Sequence, residues 1–212
     1  MSRLRFGIFM APFHSPVGQD PTSAYERDLD VIKQLDKLGF DEAWIGEHHS
    51  CGHETIPDPM IFIAHAANHT RHIRLGTGVV SLPYHNPLWV ADRALFLDHL
   101  TRGRFMLGLG PGALPTDATM IGISLEDQRG ALEQDVDVLM ALLRGETVSA
   151  RTGRYNLVEA RTSTPPTATS TSRSPPSRRR PGRARRRRTA SGCCRSGPPC
   201  RTASTRWRCT GM

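Results

Sequence analysis

Apolar and polar positions along the first 160 residues repeat one unit, a short apolar run followed by a helical stripe. Residues 4–10 read as a first strand, ended by Ala11-Pro12, and a polar loop follows. Ser23 is the expected N-cap of the first helix, where Leu29, Ile32, Leu35 and Leu38 keep an apolar stripe until Gly39 stops it. Residues 41–46 read as the second strand, 50–57 as a polar loop and 60–68 as a short apolar helix. Residues 73–80 form the third strand, and its Gly76 and Gly78 mark a place where backbone must come close to something. Pro83-Tyr84-His85-Asn86-Pro87 is a loop before a helix over 88–100, and Thr101-Arg102-Gly103-Arg104 turns the chain into a fourth strand over 105–109. Gly110-Pro111-Gly112 then opens a long loop. Leu132, Val136, Leu139, Met140 and Leu143 are spaced as a helix core face ended by Gly145. Residues 148–150 and 155–158 flank Thr152-Gly153 as a small hairpin.

Four strand-then-helix units in a row predict a parallel α/β fold. Their spacing suits a (β/α)8 barrel or a doubly wound sheet, and periodicity alone does not choose. A full barrel takes about 250 residues, so four units make the N-terminal half of one.

Composition splits the chain in two. Residues 1–160 carry all 20 acids and a net charge of −6, whereas residues 161–212 carry 14 arginines, no lysine and no acid. Four of the five cysteines, Cys193, Cys194, Cys200 and Cys209, also lie in this tail. The tail holds no Leu, Ile, Val, Phe or Tyr, so it cannot bury a core and is expected to be disordered. Three readings compete: an Arg/Ser/Pro-rich tail that binds nucleic acid nonspecifically, a metal-binding cysteine tract, or an out-of-frame translation. The cysteines lack CxxC pairing, which argues against zinc. The alphabet favours the third reading. Apart from Met212 the tail uses only Arg, Thr, Ser, Pro, Ala, Gly, Cys and Trp, each with a codon carrying C or G in the middle. A GC-rich gene read out of frame yields this set, and selection for RNA binding has no reason to exclude lysine. Elsewhere, Met1-Ser2-Arg3-Leu4-Arg5 leads into only a short apolar run, unlike a secretory signal. No stretch approaches the roughly 18 apolar residues of a membrane span. The expectation is a cytoplasmic globular protein with no membrane partner.

The candidate chemistry sits at the end of the second strand, in Trp44-Ile45-Gly46-Glu47-His48-His49. An apolar run that gives way to an acid and two histidines suggests a buried strand delivering side chains to its C-terminal edge, where parallel α/β folds bind ligands. Histidine there can act as acid, base or donor near neutral pH. His48 and His49 could equally be ordinary loop histidines. His53, His65, His69, His72, His85 and His99 each read as surface or capping residues, Gly76 and Gly78 could merely relieve packing, and Arg102-Gly103-Arg104 reads as a structural turn. Cys51 and His53 lack a recognisable ligand spacing, so no metal is expected. There is no Walker loop, and Gly108-Leu109-Gly110-Pro111-Gly112 lacks the helix that should follow a dinucleotide-binding turn.

Several separated motifs carry a family resemblance over about residues 4–160. They are Gly39-Phe40-Asp41, Glu47-His48-His49, Leu75-Gly76-Thr77-Gly78-Val79, Leu82-Pro83-Tyr84-His85-Asn86-Pro87 and Leu97-Asp98-His99-Leu100-Thr101-Arg102-Gly103-Arg104. In this order and spacing the chain resembles the bacterial luciferase-like flavin-dependent monooxygenases, nearest the limonene- or alkanal-monooxygenase-like subgroup. The resemblance implies a (β/α)8 TIM barrel binding reduced FMN at its C-terminal face. It implies an oxidoreductase that uses O2 to oxygenate a small organic substrate, with flavin reduced by a separate reductase. It assigns His48 and His49 to the catalytic pocket, with His48 steering protons. It assigns Gly78, Val79 and Gly110 to flavin contact, with a cis peptide at Gly78-Val79. Pro111 stands where luciferase itself has a phosphate-pairing arginine, so that contact is absent.

The expectation is therefore two regions: 1–160, the N-terminal half of the barrel, and 161–212, a basic out-of-frame tail. As half a barrel, with homo-oligomerisation open to the frame-corrected protein, the chain is expected to keep little or none of the family's activity. Two alternatives stand beside this: a deazaflavin-dependent hydride-transfer enzyme of the same superfamily, and a basic nucleic-acid-binding protein acting through the tail.

Overall fold

A computed structural model describes residues 4–11, 13–15, 18 and 20–165. Four parallel strands, β1 (Gly7–Met10), β2 (Glu42–Ile45), β3 (Arg74–Thr77) and β5 (Phe105–Met106), lie side by side in chain order. Short parallel strands β4 (Val80–Ser81) and β6 (Leu109–Gly110) prolong the third and fourth of them. The third and fourth strands expected over 73–80 and 105–109 are thus each broken in two. The break in the third falls at Gly78-Val79, a cis peptide, and the other at Leu107-Gly108. Thr77 spans the gap, its Oγ1 donating to the Gly108 carbonyl at 2.8 Å and accepting from the Gly108 N–H at 2.9 Å.

The connections are α1 (Pro21–Lys37), α2 (Pro59–His69) and α3 (Pro87–Leu100), with a 3-10 turn at Leu82–Tyr84 before α3. The first two helices pack against each other, α2 packs on α3 and β3, and α3 packs on β5. Helices neighbouring one another in chain order, over strands in chain order, make the curved wall of a barrel; a doubly wound sheet reverses its strand order partway. Alternation along β2 explains the two faces. Ala43 and Ile45 are fully buried towards the helices with Ile32, Ile63, Leu75, Leu95 and Phe105, while Glu42 and Trp44 stay half-buried on the other face. There Phe9 pairs in register with Trp44, and Trp44 with Gly76. A Cβ on Gly76 would overlap the Trp44 ring, and one on Gly78 would crowd the Phe9 ring, so both glycines accommodate aromatic packing across the concave face.

Several boundaries differ from the sequence-based expectations. The first strand begins at Gly7; Leu4 and Phe6 are exposed, 71% and 59%, with too little neighbouring structure to draw them in. The first helix is capped by Asp20, whose carboxylate accepts from the Ser23 N–H at 2.9 Å, with Pro21 as its first residue. Ser23 therefore lies inside the helix, and the Asx-Pro pair outcompetes it as a start signal. The long loop after Gly110 contains a further helix, α4 (Pro115–Ile121), ended by Gly122 at φ 79°. The remaining elements follow expectation: α5 (Gln128–Leu143), then a hairpin of β7 (Val148–Arg151) and β8 (Asn156–Ala160).

Residues 161–165, the first of the tail, hydrogen-bond to the body. Thr162 Oγ1 donates to the Leu142 carbonyl at 3.3 Å, and His99 Nε2 donates to the Pro165 carbonyl at 2.8 Å. Hydrogen bonds need no apolar side chains, so the composition argument does not forbid them. Residues 166–212, and the expectations of disorder and nucleic-acid binding attached to them, lie outside the described residues. No described helix is long and apolar enough to cross a membrane.

Candidate active site

The chain leaves β2 at the C-terminal edge of the sheet, and Glu47, His48 and His49 follow directly. Glu47 is the buried hub, its side chain 1% exposed. It accepts from the Ser81 N–H at 3.0 Å, from His49 Nε2 at 3.0 Å and from His85 Nε2 at 2.9 Å. Burial pushes the Glu47 carboxyl up, but hydrogen bonds from His49 and His85, attraction to His85 and the Ser81 N–H together outweigh it. The carboxyl ends below its ordinary range. The same hydrogen bond raises His49, against the opposing effect of burial, with further attraction from Glu47, Asp117 and Asp58. A buried carboxylate holding two imidazoles is satisfied only if both donate to it.

His48 turns the other way. Its backbone N–H donates to the Ile56 carbonyl at 3.2 Å, and its ring stands between two carboxylates. Nε2 is 2.7 Å from Glu54 Oε2, and Nδ1 is 3.7 Å from Asp117 Oδ2, beyond hydrogen-bond reach. A Cβ on Gly46 would lie 3.9 Å from His48 Cδ2 and 3.7 Å from the Gly78 carbonyl oxygen, so His48 and Gly78 flank one bare stretch of backbone. Val79 covers Gly110, where an added Cβ would come 2.6 Å from its Cγ2. Gly110 in turn pairs with Ser81, whose N–H is held by Glu47. The residues expected in the site, His48, His49, Gly78, Val79 and Gly110, thus converge on one edge of the sheet.

Four participants escaped the sequence reading. His85, expected at the surface, is drawn to Glu47. Asp117, on α4, is buried and accepts from the N–H groups of His49 and Ser50, at 3.2 and 2.7 Å, and from Ser50 Oγ at 2.5 Å. Glu54 approaches His48 from the loop. Tyr84 packs over Gly112, accepts from Gln128 Nε2 at 3.1 Å, and lies edge-on to His49 with centroids 6.2 Å apart. No spacing rule links these residues; the local hints are the family motif at residues 82–87, which contains Tyr84 and His85, and its two prolines, which fix the backbone there. By contrast, Arg104 behaves as the expected structural turn, its guanidinium donating to the carbonyls of Ala67, Thr70 and Ile73 at the end of α2.

An α/β wall with acid, imidazoles and bare glycine backbone at its C-terminal edge defines a class of small-molecule enzyme rather than one reaction. Comparison narrows it. Residues 4–181 match the family model for the luciferase-like monooxygenase domain, and the chain belongs to that family. It is 51% identical over 162 residues to 4-hydroxyprotoasukamycin monooxygenase of Streptomyces nodosus subsp. asukaensis, covering 76% of this chain and 43% of that protein. To limonene 1,2-monooxygenase of Rhodococcus erythropolis it is 49% identical over 158 residues, 74% of this chain and 41% of that one. Among solved structures it resembles the oxygenating constituent of 3,6-diketocamphane monooxygenase from Pseudomonas putida, in complex with FMN. There the TM-score is 0.68 at 25% identity, over 72% of this chain and 42% of the other. The chain spans less than half the length of the curated relatives it matches.

Proposed function

We propose that this chain supplies the proton-handling edge of a flavin-dependent monooxygenase that oxygenates a small organic substrate with O2. The observation that carries the reading is the placement of His48 beside the bare backbone of Gly46 and the Gly78 carbonyl, next to the buried Glu47. Flat, side-chain-free backbone fits the face of an isoalloxazine ring, and Pro111 brings no cation to a phosphate. Reduced FMN, when bound, supplies the electrons that activate O2. Gly78, Val79 and Gly110 offer the contact surface, and Glu47 holds His49 and His85 in fixed orientation as donors. His48, between Glu54 and Asp117, can keep or pass a proton at Nε2. A relative described as an oxygenating constituent supports reduced flavin arriving from a separate reductase. Residues 161–212 are read as an out-of-frame translation, which sequencing the gene across codon 161 tests directly; an intact frame there overturns it.

The functional test joins residues 1–160 to the remaining portion of limonene 1,2-monooxygenase and measures FMN binding, reductase-coupled O2 uptake and oxygenated product. His48→Ala should lower oxygenation by ~10²–10⁴-fold with FMN affinity nearly unchanged. Undiminished turnover in that variant sinks the assignment. Hydride transfer to a deazaflavin without O2 uptake sinks the reaction class.

A further inference from the structure

The loop after His49 carries a second cluster that the flavin reading does not use. Cys51, His53 and Glu54 place one ligand atom each, a thiol sulfur, an imidazole nitrogen and a carboxylate oxygen, within 4.8 Å of one another. Cys51 Sγ is 3.0 Å from His53 Nε2, and a thiol–imidazole hydrogen bond would account for that contact alone. It does not account for Glu54. Glu54 Oε2 is 2.7 Å from His48 Nε2, an ion pair when that imidazole is protonated, but the two make no hydrogen bond, and this buried oxygen has no other hydrogen-bond partner. A buried carboxylate oxygen left without a donor is costly, and a cation is the natural way to satisfy it.

We propose that Cys51, His53 and Glu54 bind a divalent metal ion of the thiolate- and imidazole-preferring kind, zinc by chemistry. Thiolate, imidazole and carboxylate are the ligands zinc takes, whereas magnesium and calcium prefer oxygen throughout. Zinc–ligand bonds of ~2.0–2.3 Å put neighbouring ligands about 3.3–3.6 Å apart in a tetrahedron. The Cys51–His53 spacing of 3.0 Å lies just under that range and all three ligand atoms lie within 4.8 Å of one another, so small side-chain rotations close the site. Three protein ligands leave a fourth position for water.

The backbone is already held for this. The His14 N–H donates to the His53 carbonyl at 2.7 Å, Phe13 forms an antiparallel bridge with Glu54, and Tyr25 donates its hydroxyl to the Thr55 carbonyl at 2.7 Å. The Phe13 and His53 rings pack with centroids 4.4 Å apart, and His14 itself is anchored to buried Asp28 at 2.9 Å. On the other side Ser50 is tied to Asp117. The ligands thus project from a loop fixed at both ends, which lowers the ordering cost of closing around an ion. An ion there also shares Glu54 with His48, so the site abuts the flavin edge without depending on the flavin reading.

The test uses the full chain, whose four tail cysteines must be told apart from Cys51. Zn²⁺ is titrated against a chromogenic chelator, and Co²⁺ by its thiolate charge-transfer absorption. A chain with Cys193, Cys194, Cys200 and Cys209 all changed to serine should still bind one Zn²⁺. Adding Cys51→Ala should abolish the Co²⁺–thiolate band, and His53→Ala should weaken Zn²⁺ binding more than tenfold. Mass spectrometry of the unmutated chain should show Zn²⁺ slowing alkylation of Cys51 more than tenfold. The proposal is overturned if alkylation of Cys51 ignores Zn²⁺, or if the tail-serine chain binds Zn²⁺ equally well with and without Cys51.

Discussion

Glu47 shows how much one buried residue decides. It was legible only as the acid before two histidines, yet it holds His49, His85 and the Ser81 N–H together. Its effect on stability has a definite sign on each side of neutrality. The Glu47 carboxyl sits below its ordinary 4.5, so its contribution is complete above 4.5 and is lost as pH falls through the lower folded value. His49 sits above its ordinary 6.5, so its contribution is complete below 6.5 and is lost as pH rises through the higher folded value. Urea midpoints of wild type and Glu47→Gln should therefore differ most between pH 4.5 and 6.5, with the difference vanishing as pH falls and shrinking only by the His49 share as pH rises. A difference that keeps growing above pH 8 would contradict this account. Gly76 is the opposite case: its missing side chain signals a close approach in the sequence, and the structure supplies the partner, Trp44 of the neighbouring strand.

Among elements, the helix starts were written plainly. Asp20-Pro21, Asp58-Pro59 and Asn86-Pro87 each place a capping oxygen before a proline whose missing N–H costs nothing at that position. Ser23, two residues past the first of these prolines, falls inside the first turn and leaves the cap to Asp20. Asp58 caps α2 through the Met60 and Ile61 N–H groups, at 2.9 and 3.2 Å, and also meets Arg93. Asp58→Ala should cost about 0.5–2 kcal/mol in chemical denaturation, and Asp58→Asn much less. Equal losses would place the effect in the ion pair with Arg93 rather than in the cap. Helix α4 is not legible in the sequence because seven residues carry too little periodicity to stand out after a glycine-rich turn.

For the molecule as a whole, the hairpin is not an appendage. Arg154, beside Tyr155 at the turn, pairs with both oxygens of fully buried Asp135 on α5, at 2.5 and 2.8 Å, and reaches the Pro83 carbonyl next to the site. Tyr155 donates to the same carboxylate at 2.8 Å. Removing Arg154 strands a buried charge, so Arg154→Ala should cost about 3–5 kcal/mol, while Asp135→Asn, which removes the charge itself, should cost less. Urea denaturation of the two variants decides, and a larger loss in Asp135→Asn would reverse the argument. The same long-range pairing explains why the network was invisible beforehand, since Asp135 and Arg154 stand 19 residues apart with no periodic relation.

What the sequence alone determined was local or cumulative. The alternation that buries Ala43 and Ile45, the stripes of α1 and α5, the turn chemistry of Gly39 and Gly145, and the family motifs around His48 and His49 all operate over a few residues. Such signals survive without neighbours because helix and strand periods are set by the backbone itself. The tertiary structure alone decided which polar groups meet: His85 with Glu47, Asp117 with the His49-Ser50 turn, Glu54 with His48 and Cys51, Arg154 with Asp135. Those pairings follow from how strands and loops distant in the chain are brought side by side. A buried polar group takes the partner that packing places within about 3 Å, whatever their separation along the chain.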